Sequence, residues 1–519
     1  MADTTMGSAP AARPGLFLRN ATGLVKAWST FDAFVYSFWS VNLITLGLYG
    51  MSFLYNVPDG QALVSILLFG VLTTFLVVTY AMLVSVMPRT GGDYAWQSRV
   101  LGGAAGFVLS ITGWWFTLFL WAPIYANILV VQFFGPLAYT LGASNVATFF
   151  TSNNGIFVSC LIVLAFASQS DFQNAFNREA ASLFGASGNA YQATIDAAKT
   201  GGYGGSEFGT LSFGPILLVL PFLAFYLLWP NWGATLYGEV RGAKDIRKPF
   251  WSMFWGLWVT VALVAVVLLL MVKTFGWNWY QAANASYWNN VYAVSGAKAP
   301  PMSIWPYPVM LAGFLVDNHL FQALLIIVMG LWFFGWAGTL FLSSTRVIFA
   351  AAFDRVLPAW AANISAKRRV PYGSLVLMIV PSIVVSAIYA YRPNFTSIFL
   401  DATSVLALTF LATTVAAIVL PWVRKDLYDA SPIAAYKIAG VPAISVVGGV
   451  TAIFLVFMLY EWFFNGNNLY GTSFQATVSS VIYFGITYLA AIAIYAIAFF
   501  VRRNQGIDLN RIHHEIPVE

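Results

Sequence analysis

The stretch best suited to binding a small polar molecule is Trp229-Pro230-Asn231-Trp232, which interrupts an uncharged, membrane-length run that begins at Phe213. Proline has no backbone N–H and its ring clashes with the preceding turn, so a helix through Pro230 should kink or unwind there. In a bilayer, freed backbone groups are tolerated only where they are buried in protein or line a wet cavity. The stretch therefore predicts a binding site, with a simple kink as the alternative.

Residues typical of enzymes and metalloproteins are scarce in this chain. The sequence contains neither a phosphate-binding GxxxxGK[ST] motif nor a metal-binding HExxH motif. Two of the three histidines, His513 and His514, lie in the terminal tail, and His319 lies at the edge of a predicted span. The single cysteine, Cys160, excludes an intramolecular disulfide and a multi-cysteine metal site. We therefore predict no catalytic residue, no metal site and no cofactor.

The composition is that of a polytopic membrane protein. The 519 residues are 60% hydrophobic and only 8% charged, far outside the usual range of soluble domains. The net charge of +6 comes from basic residues in short connections between apolar runs, so it sets membrane topology and does not indicate nucleic-acid binding.

Ten uncharged runs are long enough to cross about 30 Å of hydrocarbon at roughly 20 residues each. The sequence therefore predicts an all-α membrane bundle with a transmembrane domain over 32–502, between an N-terminal segment (1–31) and a C-terminal tail (503–519). The predicted spans are 33–55, 61–87, 104–134, 213–238, 250–272, 320–345, 372–391, 398–422, 440–460 and 475–501.

Lysine and arginine are distributed unequally between the two sides of these spans. With the N-terminus inside, 20 of the 25 basic residues fall in inner segments. Because cytoplasmic loops are enriched in Lys and Arg, this bias predicts that both termini are cytoplasmic and that the protein lies in the cell membrane.

Two predicted outer segments are long. Segment 276–318 contains the short apolar piece PYPVMLAGFLV, which we interpret as a helix lying over the outer mouth. Segment 135–211 contains one apolar run, Gly155–Ser168, whose 14 residues would span roughly 21 Å as a helix. Since the flanking spans must end and begin outside, we predict that this run does not cross the membrane and instead dips in from the outer face or packs against the bundle. The alternative is a tilted crossing that includes Ala147–Asn154 and inverts the orientation on one side of it.

Three predicted inner stretches form a recognisable set of motifs. The first runs from Met87-Pro-Arg-Thr-Gly-Gly-Asp-Tyr to Gly103, and the second is Gly238-Glu-Val-Arg241. The third runs from Ser343-Ser-Thr-Arg346 through Asp354-Arg-Val-Leu-Pro358 to Lys367-Arg-Arg-Val-Pro371. In this order and on one face, they resemble the amino acid/polyamine/organocation (APC) superfamily of permeases.

The first stretch also has an interpretation independent of any family. Glycines at Gly91-Gly92 permit a sharp turn with positive φ. Arg89 and Arg99 would anchor the loop to the inner surface, and Tyr94 and Trp96 suit the interface.

The resemblance implies two inverted five-helix repeats plus two further helices, as in leucine-transporter-like folds. The first helix of each repeat is broken, and the two breaks form the substrate site. Exposed amides at one half-helix end can hold a carboxylate, and exposed carbonyls at the other can hold an ammonium group. Carried over by position, the substrate-binding residues are Ser37, Ser40, Val41, Asn42, Trp229, Pro230, Asn231 and Trp232.

The chain departs from the family pattern in three places, one of which is Trp229, where the family's sixth helix usually has glycine. The first broken helix has Ser40 and Asn42 where the family shows closely spaced glycines. Region 135–211 holds only one short apolar run, which implies that the first repeat is about one hairpin short. Ser343 and Ser344 resemble the hydroxyl residues near an ion site in the family. The alternative is that each hydroxyl only hydrogen-bonds to the backbone of its own helix, so the sequence does not identify the coupling ion.

The resemblance implies a secondary-active transporter, not an enzyme, for amino acids or related amines, working by alternating access in a lipid bilayer. The alternative is a degenerate or truncated, non-transporting relative that serves as a membrane scaffold. A channel would need a continuous polar lining or a ring of charges, which the spans lack.

Overall fold

The computed structural model describes residues 24, 26–121, 167–209, 211–365, 370–391, 398–475 and 477–515. These residues form a helical bundle, with one two-stranded antiparallel hairpin of β1 Lys437–Ile438 and β2 Val441–Pro442. The helices are α1 Thr30–Ser40, α2 Leu48–Met51, α3 Ala62–Val86, α4 Asp93–Val100, α5 Gly103–Ile111, α6 Gln169–Phe184, α7 Ala190–Thr200, α8 Phe213–Leu227, α9 Arg247–Phe275, α10 Trp277–Val291, α11 Pro308–Gly313, α12 His319–Phe353, α13 Tyr372–Tyr391, α14 Ile398–Val423, α15 Lys425–Asp429, α16 Ala443–Phe464, α17 Val478–Asn504 and α18 Leu509–His514. Short π segments lie at Leu43–Gly47 and Thr112–Thr117, and 3₁₀ segments at Leu54–Asn56, Pro230–Leu236, Ala359–Ala362 and Pro432–Ala435.

The predicted all-α membrane bundle is confirmed. Each of the ten predicted spans coincides with a helix or a run of helical segments, although span 104–134 is described only as far as Trp121. Seven helical stretches of the described residues are long and apolar enough to cross a membrane. These stretches are Ala62–Val86, Gly103–Trp121, Phe213–Leu236, Arg247–Phe275, Asp401–Val423, Ala443–Phe464 and Val478–Asn504.

Large apolar side chains cover the outside of the bundle. On α16 and α17, Ile453, Ile486 and Leu489 are 73%, 65% and 66% exposed. A soluble monomer rarely exposes such a continuous apolar surface, whereas hydrocarbon solvates it. These faces therefore suit contact with lipid.

Four helices cover the end of the bundle opposite the cation-rich loops. Helix α6 begins with a capping box between Ser168 and Asp171, and it packs on α9 through Phe172 and Phe275, whose rings lie 4.6 Å apart. Helix α7 packs on α10, and α11 lies within the apolar piece predicted to form a helix over the outer mouth. The segment Gly155–Ser168, apart from its last two residues, lies outside the described residues, as do residues 135–154 of the region in which the first repeat is expected to be short.

The loop before α4 turns sharply, as the sequence predicts. Gly91 and Gly92 have φ values of +93° and +38°. A Cβ on Gly92 would lie 2.9 Å from the carbonyl oxygen of Ala234, so the loop approaches the backbone of the 3₁₀ segment that follows α8. The predicted surface positions in this loop are wrong for Tyr94, Trp96 and Arg99, all of which are buried. Tertiary contacts override the usual interfacial preference of these residue types.

Candidate functional site

The first helix interruption follows α1. This helix starts with a capping box between Ser29 and Asp32 and ends at Ser40, inside the predicted stretch 37–43. The next regular hydrogen bond is of the i to i+5 type, in which the N–H of Gly47 donates to the carbonyl of Asn42 over 2.9 Å. The backbone between Ser40 and Asn42 therefore leaves the helical ladder.

The second interruption follows α8, at the predicted proline. Helix α8 ends at Leu227, and the chain resumes as 3₁₀ turns from Pro230 to Leu236. The indole N–H of Trp229 donates to the carbonyl of Phe225 over 2.7 Å, which satisfies one of the carbonyls that the helix end frees. Proline's missing donor accounts for the change of helix type.

The two interruptions touch each other. A Cβ on Gly233 would lie 3.2 Å from Oγ of Ser37, so only a small residue fits on the second segment at this point. Beyond the interruptions, a Cβ on Gly47 would likewise lie 3.2 Å from the ring of Tyr226. On the cation-rich side, the N–H of Trp28 donates to the carbonyl of Glu239 over 3.1 Å. The two broken helices thus run side by side along their length.

Several polar groups at this meeting point are buried without a hydrogen-bond partner among the described residues. They are Oγ of Ser37, both amide atoms of Asn231, the indole N–H of Trp232 and the hydroxyl of Tyr226. Buried polar groups are almost always paired, and each exception calls for a specific explanation. A bound polar molecule between the interruptions would supply the missing partners.

Tryptophan rings enclose the second interruption. The ring of Trp232 lies 5.6 Å from that of Trp229, 6.3 Å from Trp121 and 6.0 Å from Trp336. All four side chains are fully buried. Trp39, beside the first interruption, instead packs on Trp332 at 4.1 Å. The indoles of Trp229, Trp232, Trp121 and Trp336 therefore form a continuous aromatic wall beside the second interruption.

Of the remaining predicted substrate residues, Ser40, Val41 and Asn42 are buried at the first interruption. The hydroxyl of Ser40 donates to the carbonyl of Tyr36 in its own helix over 2.8 Å. Pro230 is also buried, between Trp229 and Asn231. The structure thus brings the predicted residues into two adjoining segments.

The two serines named as ion-site candidates differ in their contacts. Ser343 forms a short hydrogen bond with the hydroxyl of Tyr36 and donates to the carbonyl of Trp232 over 3.4 Å. Its hydroxyl therefore links both broken helices to α12. Ser344 donates to the carbonyl of Leu340 in its own helix over 2.7 Å, the self-satisfied arrangement.

Two buried ion pairs close the cation-rich side beneath the interruptions. Arg346 on α12 donates to Glu239, just after the second broken helix, over 2.9 and 3.2 Å. Arg99 on α4 donates to both oxygens of Asp354 over 2.5 and 2.9 Å. The family-like motifs thus meet in space, because each pair joins two of them.

Sequence reasoning missed Tyr36, Tyr226 and Asp93 as neighbours of this region. Tyr36 and Tyr226 lie in apolar runs and look like ordinary packing residues. Asp93 lies in a loop predicted to face the inner surface, and only the fold brings its carboxylate against the spans. Nothing local in the sequence distinguishes these three residues.

Comparison with known proteins finds a similarity to one family in the second half of the chain. Residues 259–492 match the amino acid permease family, and this match supports an amino acid permease-like member of the APC superfamily. The matched segment includes Ser343 to Arg346 but begins after both helix interruptions. A search of curated proteins finds no match. The similarity to this family and the helical membrane bundle together support a transporter rather than an enzyme.

Proposed function

We propose that this permease-like protein is a secondary-active transporter of amino acids or related amines, working by alternating access around its two interrupted helices. Its substrate site is bordered by the residues that the family resemblance and the interruptions both indicate. These residues are Ser37, Ser40, Val41, Asn42, Trp229, Pro230, Asn231 and Trp232.

The observation that carries this proposal is the group of unpaired polar atoms where the interruptions meet. The indole N–H of Trp232 and the amide N–H₂ of Asn231 are donors suited to a carboxylate. The Asn231 amide oxygen and the Ser37 hydroxyl are acceptors suited to an ammonium group. Unpaired donors and acceptors on two adjoining segments match a molecule that carries both kinds of group.

The aromatic wall adds a preference for amines. The faces of tryptophan rings attract ammonium groups by cation–π interaction within about 6 Å, most strongly where water is excluded. The rings of Trp229 and Trp232 already contact each other at 5.6 Å. An ammonium group that binds between these two rings would displace one of the indoles, and this displacement would link binding to a change of conformation.

The orientation that goes with this proposal places both termini in the cytoplasm and the cell membrane around the bundle. The bias of basic residues toward one side supports it. A membrane-impermeant thiol reagent applied to intact cells should modify a cysteine introduced at Ala297 and spare one introduced at Asn504. The reverse pattern would contradict the orientation.

Transport in a purified system tests the proposed function. Proteoliposomes containing the full chain should take up label from a mixture of radiolabelled amino acids and amines, and excess unlabelled mixture should abolish the uptake. Absence of uptake with correctly inserted protein would favour the scaffold interpretation. Discrete single-channel currents would favour a channel.

A further inference from the structure

A buried carboxylate lies directly beneath the second helix interruption. Asp93, the first residue of α4, is fully buried and lies in the segment between two spans. Its Oδ1 accepts a hydrogen bond from the Thr413 hydroxyl over 2.5 Å and a short one from the Tyr80 hydroxyl. Its Oδ2 accepts from the indole N–H of Trp114 over 3.0 Å. Three separate elements thus aim donors at one carboxylate.

No cation neutralises this carboxylate among the described residues. On its own helix, Arg99 is bound to Asp354, and on α12, Arg346 is bound to Glu239. The neutral donors form hydrogen bonds to the carboxylate oxygens of Asp93 but do not cancel their negative charge. Burial consequently raises the pKa of Asp93 to about 6, even though the hydrogen bonds from Thr413, Tyr80 and Trp114 act in the opposite direction.

The other ionisable groups near this loop are few. The loop itself contributes Arg89, whose guanidinium donates to the carbonyl of Pro88 over 3.1 Å. Helix α3 contributes Tyr80, and α4 contributes Tyr94. The tail helix α18 contributes His513, which contacts Tyr94 over 3.2 Å and lies 4.0 Å from Asp354. The 3₁₀ segment after α8 leads into Tyr237 and Glu239, and α14 contributes Thr413 without a charge at this depth. Asp93 is therefore the acidic group of this cluster that lacks a basic partner.

Two of the three donors connect Asp93 to the substrate region. The ring of Trp114 lies 5.6 Å from that of Trp232. The Tyr80 hydroxyl also lies near the Asn231 side chain, without forming a hydrogen bond to it. The loop itself also reaches this segment, since the N–H of Gly91 donates to the carbonyl of Thr235 over 2.9 Å. A change at Asp93 is thus passed on to both sides of the second interruption.

Protonation would redistribute these hydrogen bonds. A neutral carboxyl donates its own hydrogen, and the Thr413 and Tyr80 hydroxyls can accept as well as donate, whereas the indole N–H of Trp114 can only donate. Once Tyr80 accepts from Asp93, its hydrogen is free to turn toward the Asn231 amide. The protonation state of Asp93 in this way changes the hydrogen bonding available to Asn231, a residue of the proposed substrate site.

We propose that Asp93 is the proton-binding site that couples transport to a proton gradient, through the Tyr80–Asn231 and Trp114–Trp232 contacts. One proton from the aqueous phase on one side forms an O–H bond to the carboxylate, and that bond breaks when the proton leaves on the other side. This deepens the proposed function and rests on it, because coupling needs a transported substrate.

Measuring substrate exchange and substrate accumulation in vesicles separates proton coupling from transport itself. Vesicles with equal unlabelled substrate mixture on both sides report exchange, which needs no net proton movement. Vesicles with an acidic exterior report accumulation driven by protons. We expect the wild type to do both, and Asp93→Asn to exchange but to lose gradient-driven accumulation.

A matched control is Asp401→Asn. Asp401 is also a buried carboxylate and accepts from Ser480 over 2.9 Å, but it precedes Thr413 by twelve positions on α14, roughly 18 Å along the helix axis. This variant should exchange and accumulate normally. Any of three results would overturn the inference while leaving transport intact. Asp93→Asn could accumulate substrate, Asp401→Asn could lose accumulation, or the wild type could exchange substrate without gradient-driven accumulation.

Two further measurements keep the inference testable if exchange fails or if Asp93→Asn does not fold. Infrared titration of the purified wild type from about pH 8 to about pH 5 should show a protonated carboxyl band near the midpoint expected for Asp93. Because Asp401 is also a buried carboxylate, the Asp93 band is identified as the part of the absorption that Asp93→Asn loses and Asp401→Asn keeps. Thr413→Val removes one donor to the charged form, so the midpoint should rise by about one pH unit. A wild type without the band, or an unchanged midpoint in Thr413→Val, would contradict the assignment.

Discussion

The ion pair between Glu239 and Arg346 is the most direct test of how the two broken-helix regions are held on the cation-rich side. Both side chains are only 6% exposed, and two hydrogen bonds of 2.9 and 3.2 Å join them. The substitution Glu239→Gln keeps the size of the side chain but leaves the buried guanidinium without a countercharge. Removing one partner of a buried pair costs about 3–5 kcal/mol.

Glutamine can still accept one hydrogen bond from Arg346, so we expect a loss near the lower end, about 3 kcal/mol in the free energy of unfolding. Reversible unfolding in mixed detergent micelles, followed by tryptophan fluorescence, measures it. The double variant Glu239→Gln/Arg346→Gln should lose less than the sum of the two single variants by at least about 1 kcal/mol, because the two residues contact each other.

The pair between Arg424 and Asp426 provides the control. It has the same 2.9 Å separation, but the Asp426 side chain is 63% exposed. Exposed pairs contribute about 0–1 kcal/mol, so Asp426→Asn should change the free energy of unfolding by no more than that. If Glu239→Gln costs no more than Asp426→Asn, the buried pair does not hold these segments together, and the reasoning fails.

Three further substitutions test the loop around α4. Gly92→Ala should lower the free energy of unfolding by about 2–4 kcal/mol, because the new Cβ clashes with backbone and the residue has a positive φ. Gly102→Ala, with φ +98° and no atom near its Cβ, should cost only the backbone strain, about 1–2 kcal/mol. Equal losses in thermal unfolding would refute the close approach at Gly92. Burial raises the pKa of Asp93, so Asp93 holds its proton to a higher pH in the folded state than in the unfolded state. The wild type should therefore lose about 2 kcal/mol of stability relative to Asp93→Asn as pH rises from about 4 to about 7, and a constant difference would refute the raised pKa. Gly103→Ala should displace the tail, because its Cβ would lie 2.1 Å from Nδ1 of His513, and unchanged protection of the tail from proteolysis would contradict that contact.

The sequence was sufficient to predict those features that depend on composition and on single strong residues. Membrane-length apolar runs predicted the helices, because hydrocarbon leaves the backbone no other partner. Pro230 predicted the second interruption, because proline cannot continue the hydrogen-bond ladder. Gly91-Gly92 predicted the sharp turn, and its positive φ values confirm that interpretation.

Features that depend on distant contacts could not be predicted. Arg99 and Trp96 have the composition of an interfacial loop, yet both are buried because α4 packs against α14 and α5. The partner of Arg99 is Asp354, which is 255 residues away in sequence. The first interruption has no proline, and its position at Ser40 followed only from the family resemblance. Local propensity carries no information about such pairings.

The claim that the two interruptions border the transport site is tested most directly at Asn231. Asn231→Leu removes both unpaired amide atoms from the meeting point, and it should weaken binding of a transported substrate about 5- to 30-fold, as expected for the loss of one or two hydrogen bonds. Thr235→Val, on the same 3₁₀ segment, is the matched control, since that hydroxyl already donates to the carbonyl of Trp232 over 3.0 Å. Concentration dependence of exchange in proteoliposomes should show weakened affinity for Asn231→Leu and wild-type affinity for Thr235→Val. Wild-type affinity in Asn231→Leu would remove this residue from the site and contradict the account.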